Sequence, residues 1–449
     1  MSQAVAWRDR LISFRTLAFI ILGMGVVRLI VAVLMPQEPS VMAPDEGTYA
    51  TLAGVVGSGG DWASWNYNWG AGLYPGSRAL LGPAALLIYV GLPDLTAVRV
   101  ISVLYAVGSQ LLLLSIARLA RRQIAPEGPA GLPLVSWPIL GVAVFVLMPS
   151  NVLWSNLGLR EAACAFWILG AVTCTAHLFT ARDWRWKVLC GVGVAASITM
   201  TFQSRVYLAA ALVIALAVGV VWFGRERPRF SITLALGIVA GTILGATLSL
   251  PATPATTAPS VDGTASAGPG FLGSLQQGAA QAPTAINPDT YLERGSYQRE
   301  VSAQYANSAI ATDSCVGVPN PQSLRWCEIT RLPGAAFAVM FRPLWPLDIP
   351  AEWSAMAVIA SIENVVWLAL VATVIWVLVT RRFSMARLLA ISLAYGALVI
   401  AGMAALEGNF GTAFRHKSST LWVLCIILVL AGTRRVGSRQ LNPPFDTKT

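Results

Sequence analysis

Thr16-Leu17-Ala18-Phe19-Ile20-Ile21-Leu22-Gly23-Met24-Gly25-Val26-Val27-Arg28-Leu29-Ile30-Val31-Ala32-Val33-Leu34-Met35, running up against Pro36, decides the fold class. About 20 helical residues at roughly 1.5 Å each reach the ~30 Å depth of a bilayer's hydrocarbon core. The run carries no small-residue cleavage site, so it is expected to remain as an anchor and not to be removed as a signal peptide. Comparable apolar stretches recur, and the spans predicted from them are 16–35, 98–117, 132–148, 157–179, 188–202, 206–223, 231–250, 356–379, 388–406 and 418–431. The segment 80–92 is apolar but short, and is expected to lie on the membrane surface or insert halfway.

Composition agrees with these spans. Of 449 residues, 56% are hydrophobic and 12% charged, with mean hydropathy +0.65. A soluble domain carries about 25% charged residues. The chain therefore reads as an all-α polytopic membrane protein, a bundle of about ten transmembrane helices whose external loops carry short helices. Three regions follow: an N-terminal transmembrane module at 1–250 with a first external loop at 36–97, an external loop region at 251–350, and C-terminal transmembrane helices at 351–449. Residues 251–283 are rich in Ala, Thr, Pro, Gly and Ser and bury too little apolar surface to fold alone. Residues 287–333 are more structured in character, with a helix start at Asp289-Thr290-Tyr291.

The net charge is +10, and its placement says more than its size. Basic residues cluster at Arg8/Arg10/Arg15, Arg118/Arg121/Arg122, Arg182/Arg185/Lys187, Arg225/Arg227/Arg229, Arg381/Arg382/Arg387 and Arg434/Arg435/Arg439. With ten spans all six clusters fall on one side, which the positive-inside rule makes the cytoplasm, with both termini there too. The expected location is the cell membrane. A basic patch for nucleic acid would need a supporting motif, and none accompanies these arginines, so no nucleic-acid partner is expected. Cys164, Cys174, Cys190 and Cys425 read as small apolar core residues. Cys315 and Cys327 share the large external loop, where either a local disulfide or two free thiols fits.

Just past the first span lies Ala43-Pro44-Asp45-Glu46-Gly47-Thr48-Tyr49, read as a loop. Two adjacent carboxylates beside a membrane span are costly to desolvate unless something pairs with them. They can accept a proton, hold a cation or bind a basic neighbour. The aromatic residues that follow, Trp62, Trp65, Tyr67 and Trp69, suit either the membrane interface or stacking on a sugar or polyprenyl chain.

An acidic first loop of this kind, with this hydropathy plan and a basic last loop, resembles the GT-C membrane glycosyltransferases. Among these are the protein mannosyltransferases that use dolichyl-phosphate-mannose and the bacterial aminoarabinose transferases. In that superfamily an acidic residue of the first external loop serves the acceptor or a metal. The resemblance implies Asp45 as catalytic base and Glu46 as its neighbour or a metal ligand. The chain lacks the large soluble C-terminal domain of some relatives, which leaves the subfamily open.

Sidedness supplies the remaining candidates. Arg160 and Glu161 open the fourth span, and Arg205 sits in a hairpin with no room for a loop. Arg342 falls in a proline-rich stretch, and Asn409, Arg415, His416 and Lys417 fall in the last external connection, 407–417. Ionisable residues at membrane depth are functional candidates by default. Arg160, Arg205, Arg342, Arg415, His416, Lys417, Asn409 and Tyr49 are the expected substrate-binding residues. Arginine binds phosphate through two parallel bonds and lysine as a point charge. Glu407 is a second anion that the basic end could pair with. Glu363, inside the eighth span, needs a partner, for which Arg205 and Arg342 are candidates. His177 reads as structural.

Carboxylates from the start of the chain and cations from its end suit a polyprenyl-phosphate-linked sugar donor with a glycan or lipid acceptor, surrounded by membrane lipids. No His/Asp/Glu cluster has metal-ligand spacing, so no cofactor is assigned and a divalent cation is left open. The expected function is glycosyl transfer in cell-envelope polysaccharide or glycolipid assembly. The alternatives are a polymerase or ligase using a lipid-diphosphate-linked glycan, a transporter or flippase of lipid-linked saccharides, and a structural membrane subunit. The chain shows no internal repeat, which weakens a transporter built from inverted halves, and its ionisable residues lie mostly at one boundary, which favours an enzyme.

Overall fold

A computed structural model of the chain describes residues 11–39, 45–59, 77–124, 131–133, 136–223, 228–249, 315, 318, 320–344, 355–407 and 410–434. The region 251–283 and the helix start at Asp289 lie outside the described residues, as do Asn409 and the aromatics from Trp62 to Trp69.

The described chain is a helical bundle. Its helices are α1 (Phe14–Leu34), α2 (Asp45–Gly57), α3 (Arg78–Tyr89), α4 (Asp94–Ile124), α5 (Trp137–Leu147), α6 (Pro149–Asn156) and α7 (Arg160–Thr180). They continue as α8 (Trp184–Phe202), α9 (Val206–Phe223), α10 (Pro228–Ser249), α11 (Pro321–Phe341), α12 (Ala355–Thr380), α13 (Ala386–Leu406) and α14 (Phe410–Leu430). Two short antiparallel ribbons join chain segments at one end: β1 (Leu11–Ser13) with β2 (Gly131–Pro133), and β3 (Arg381–Phe383) with β4 (Ala431–Arg434).

Among the described residues seven helices are long and apolar enough to cross a membrane, and eight if the bent pair α5–α6 counts as one span. This is the multi-pass membrane protein expected, with a smaller number of qualifying spans than ten. The predicted spans 188–202 and 206–223 correspond to α8 and α9, which fall outside that set. The run to Trp222 in α9 is too short, and α8 opens on Trp184, Arg185, Trp186 and Lys187, which dilute its apolar run.

Local chemistry explains several boundaries. The Ser13 hydroxyl caps α1 by accepting from the Thr16 N–H at 3.0 Å. The helix stops at Met35 because the residue before a proline is pushed out of the helical region, and Met35 sits at φ −63°, ψ 144°. Buried Ile21, Gly25, Arg28 and Ala32 form one narrow stripe on α1, while Phe19, Leu22, Val26, Ile30 and Val33 are exposed. Such a helix meets the bundle along one line and lipid elsewhere. The stretch read as a loop from Asp45 is instead the first turn of α2, where two carboxylates complement the positive end of the helix dipole.

Between α5 and α6 the chain bends by 41° at Met148, because Pro149 has no N–H to give to Phe145. Backbone carbonyls freed inside a membrane need other partners. Here the Asn151 side-chain amide donates to the Phe145 carbonyl at 2.5 Å, and Arg28 Nη2 donates to the Val146 carbonyl at 2.7 Å. The Ser150 N–H donates to Glu363 Oε2 at 2.7 Å, and Trp367 Nε1 donates to Glu363 Oε1 at 3.0 Å. The carboxylate in the eighth predicted span thus finds a backbone amide and an indole, not Arg205 or Arg342.

Packing of α8 on α10 depends on Gly237, Gly241 and Gly245, spaced four apart on α10. A Cβ at Gly237 would stand 2.8 Å from the Gly191 carbonyl oxygen, and one at Gly241 2.7 Å from that of Ala195. Small residues at this spacing let membrane helices approach backbone to backbone.

Aromatic and basic groups gather at the ribbon end. Arg381 lies over Trp137 and Trp376, Arg387 over Phe179, and Phe179 stacks on Phe230. At this end His177 shares a hydrogen bond with Ser115, in keeping with a structural role. The opposite end collects the starts of α2, α7, α9 and α14 and the end of α13. There the α3 backbone is tied down: Tyr105 Oη donates to the Ala79 carbonyl at 2.6 Å, and Arg78 donates to the Leu248 carbonyl at 2.6 Å.

Candidate functional site

At that opposite end four ionic side chains from four parts of the chain form one string. Arg415 Nη1 donates to Asp45 Oδ2 at 2.7 Å. Arg415 Nε lies 3.2 Å from Glu161 Oε1, and the same oxygen accepts from Arg205 Nη2 in a close contact. Exposure falls along the string, from 47% at Asp45 through 17% at Arg415 to 5% at Glu161. Asp45 is therefore the accessible member and Glu161 the deep one. Glu161 Oε2 is buried and has no hydrogen-bond partner.

Each position follows from local structure. Asp45 stands on the first turn of α2, and Glu161 on the first turn of α7. Arg205 follows a tight joint in which its own N–H donates to the Thr201 carbonyl at 2.7 Å, and the residue is buried. Around the string, Arg160 faces the ring of buried Tyr49 at 5.9 Å, with Nη1 3.4 Å from Ser77 Oγ and 3.5 Å from the Ser204 carbonyl. Burial pushes the Tyr49 phenol up from its ordinary value, partly offset by Arg160, so it stays a hydroxyl at neutral pH.

Asp45 and Glu46 do not work side by side. Adjacent residues on a helix point about 100° apart. Glu46 turns into the interior and takes two bonds from Arg99, Nε to Oε1 at 2.6 Å and Nη2 to Oε2 at 3.1 Å. Arg99 also donates to the carbonyls of Pro36 and Glu38, at 2.8 and 3.2 Å. Both partners are sealed, at 0% and 1% exposure. The geometry makes Glu46 a bolt between α2 and α4, not a neighbour of the accessible carboxylate.

The basic triplet at the end of the chain also differs from its reading as a loop. Nothing between Phe410 and Leu430 breaks a helix, so Arg415, His416 and Lys417 lie on α14 and fan out. Only Arg415 reaches the string. His416 Nδ1 makes a close pair with Glu407 Oε1, its ring 6.3 Å from that of Tyr207. Lys417 is fully buried, bonded closely to Asn364 Oδ1, with its ammonium 4.7 Å from the Phe414 ring centre and 5.3 Å from that of Trp367. Asn364 also donates to the Pro343 carbonyl at 2.9 Å, so Arg342, half-buried at the end of α11, belongs to the Lys417 neighbourhood. The triplet therefore serves three surroundings and cannot clamp one phosphate together.

Glu407, just past α13, is the anion foreseen for the basic segment. Burial lifts its carboxyl to about 7, against the opposing pull of Arg205 and Arg415. Among the described residues the site gathers three guanidinium groups, Arg160, Arg205 and Arg415, around two carboxylates, Asp45 and Glu161. With Glu407 protonated one positive charge is in excess, a balance suited to an anionic ligand, and ionising Glu407 cancels it. Residues missed as site members in the sequence are Glu161, Tyr207 and Arg99. For Glu161 a signal existed, a carboxylate beside Arg160 at a helix start. No group of three or more His, Cys, Asp or Glu side chains is gathered to ligate a metal ion among the described residues. Cys315 and Cys327 form a disulfide beside α11. Arg331, one turn past Cys327, donates to the Ala404 carbonyl near the end of α13, so the bond lies toward the same end as the string.

No protein-family model matches the chain, and no curated protein matches its sequence.

Proposed function

We propose that the chain is a membrane glycosyltransferase of the GT-C kind, moving a sugar from a polyprenyl-phosphate-linked donor to an acceptor hydroxyl at the end of the bundle that carries Asp45. The string Asp45–Arg415–Glu161–Arg205 is the observation that supports this reading. It offers an accessible carboxylate next to cations already held in place. In the reaction, Asp45 takes the proton of the acceptor O–H while the acceptor oxygen forms a bond to the anomeric carbon. The bond from that carbon to the phosphate oxygen breaks, and its electron pair leaves on the phosphate. Arg415, with Arg205 and Arg160 behind it, offsets the charge growing there, a stabilisation that needs no reorganisation. A single displacement of this kind inverts the anomeric centre. In the free protein Asp45 occupies Arg415, so the incoming phosphate takes the arginine and releases the carboxylate for the acceptor.

On this reading α8 and α9 also cross the bilayer, giving about ten spans, with both termini and the arginine clusters in the cytoplasm. The disulfide beside α11 supports the same orientation, since such bonds persist on oxidising faces. The expected setting is cell-envelope polysaccharide or glycolipid assembly. A donor carrying a lipid diphosphate would make the protein a polymerase or ligase with the same site.

One observation favours a second reading. The broken helix α5–α6, with Arg28 and Glu363 beside the break, is of the kind that secondary transporters build their sites on. Transfer in detergent separates the two, because a flippase needs a sealed membrane and an enzyme does not. Purified protein given labelled polyprenyl-phosphate sugars and a mixture of acceptor glycolipids is expected to form product. Asp45→Asn should slow transfer by about 10²–10⁴-fold, the usual worth of a positioned base. Full activity of that variant removes Asp45 from the mechanism.

A further inference from the structure

We propose that a groove between α1 and α4, at the end away from Asp45, is a seat for one anionic membrane phospholipid. The groove has a volume of about 660 Å³ and is lined by Arg15, Arg118 and Ser115 among its polar residues, over the apolar side chains Phe14, Leu111 and Leu114. That volume suits a small-molecule headgroup with the first part of its acyl chains.

Three properties point to this occupant. First, both arginines are exposed, and neither has an ion pair with a carboxylate among the described residues. Two guanidinium groups over one hollow form a phosphate-recognising pair, since each offers a planar fork of donors. The Ser115 hydroxyl, 3.2 Å from His177 Nε2, adds a polar group in the same wall.

Second, one side of the apolar wall, Phe14 and Ala18, belongs to α1, whose outer face is exposed. Outside its one buried stripe, α1 exposes Phe19, Ile20, Leu22, Val26 and Val27. Acyl chains leaving the groove would meet more apolar surface of the same helix. Free phosphate uses none of this surface, so the site is assigned to a lipid and not to the inorganic ion.

Third, the charge of the adjoining chain argues against its own N-terminus as occupant. Residues 2–10 carry Arg8 and Arg10 against a single acid, Asp9. A segment of the same sign as Arg15 and Arg118 is repelled from the groove, whereas an anionic headgroup is drawn in. Arg381 and Arg387, at the same end of the bundle, add to the positive field there, and basic pockets between membrane helices take acidic lipids.

Native mass spectrometry of the full chain tests the assignment, in detergent with equal amounts of phosphatidylglycerol and phosphatidylcholine. The wild-type protein is expected to retain one phosphatidylglycerol with about tenfold or greater preference. The double variant R15Q/R118Q, altered only at exposed positions, should lose that preference. Ala18→Trp keeps both charges but fills the groove, and should lose it as well. Thermal unfolding of each variant reports that the bundle is intact. The proposal is overturned if the wild type shows no preference, or if R15Q/R118Q keeps it. Retention by a folded Ala18→Trp protein, which would put the lipid on the surface and not in the groove, overturns it too. Displacement of the lipid by millimolar inorganic phosphate assigns the site to free phosphate. A rise in lipid binding on deleting residues 2–10 assigns it to the chain's own N-terminus. Either result defeats the lipid reading.

Discussion

Two arginine–carboxylate knots begin one residue apart and come to opposite ends. Glu46 and Arg99 form a closed pair, with every oxygen and most guanidinium protons consumed and no solvent access. Asp45 and Arg415 form an open pair, half-exposed at the carboxylate, that leads inward to a carboxylate oxygen without a partner. Chemical identity is the same in both. The difference teaches that saturation, not the presence of charge, separates a bolt from a working site. A saturated knot can only hold helices together, whereas an unsaturated one can exchange partners with a ligand.

The largest effect is expected from breaking the closed knot. Arg99→Ala leaves the buried Glu46 carboxylate without its guanidinium, which costs about 3–5 kcal/mol. Thermal unfolding in detergent should show a severely destabilised protein, while a melting point close to the wild type would mean that the two knots do not differ in kind. Next comes the open knot. Arg415→Gln should weaken binding of a synthetic polyprenyl phosphate by about 10–100-fold, the worth of one charge-assisted contact. Its unfolding free energy should change by about 1 kcal/mol, because water and Asp45 can rearrange there. Unchanged phosphate binding would remove Arg415 from ligand recognition.

The effect at Glu407 is spread over a range of pH, because its buried carboxyl titrates near neutrality. Its folded carboxyl holds a proton up to about 7, whereas the unfolded side chain releases it in the ordinary glutamate range. Between those values the folded state binds the extra proton, so stability falls as pH rises through that window. The expected change is on the order of 2 kcal/mol. Glu407→Gln stays neutral throughout and should flatten this slope, which melting curves from pH 5 to 8 would record. An equal slope in wild type and variant would assign the titration to another group.

Much of this arrangement was legible in the residues themselves. Apolar runs located the helices, because a bilayer demands length and hydrophobicity from each crossing segment. The pairing of Asp45 with Arg415 was legible as sidedness, acid near the start and base near the end on one face. What stayed hidden was direction. Asp45-Glu46 and Arg415-His416-Lys417 look like clusters along the chain, but a helix turns neighbours about 100° apart, so continuation of α2 and α14 through these residues scattered them. Glu363 could be seen to need a partner. That its partner would be the Ser150 N–H required knowing that Pro149 breaks a helix several spans away. Arg28, inside the first apolar run, carries the same message. Its target is the carbonyl that the break set free.

The glycine stripe on α10 has a consequence for accuracy at the reacting centre. α8 and α10 touch main chain to main chain at Gly237 and Gly241, and Gly245 packs on the Phe202 side chain, so sliding or rolling either helix drives atoms together. The C-terminal end of α8 therefore has almost no play, and Arg205, three residues beyond it, inherits that fixity. Tolerances at the guanidinium are set by three residues that own no side chain at all.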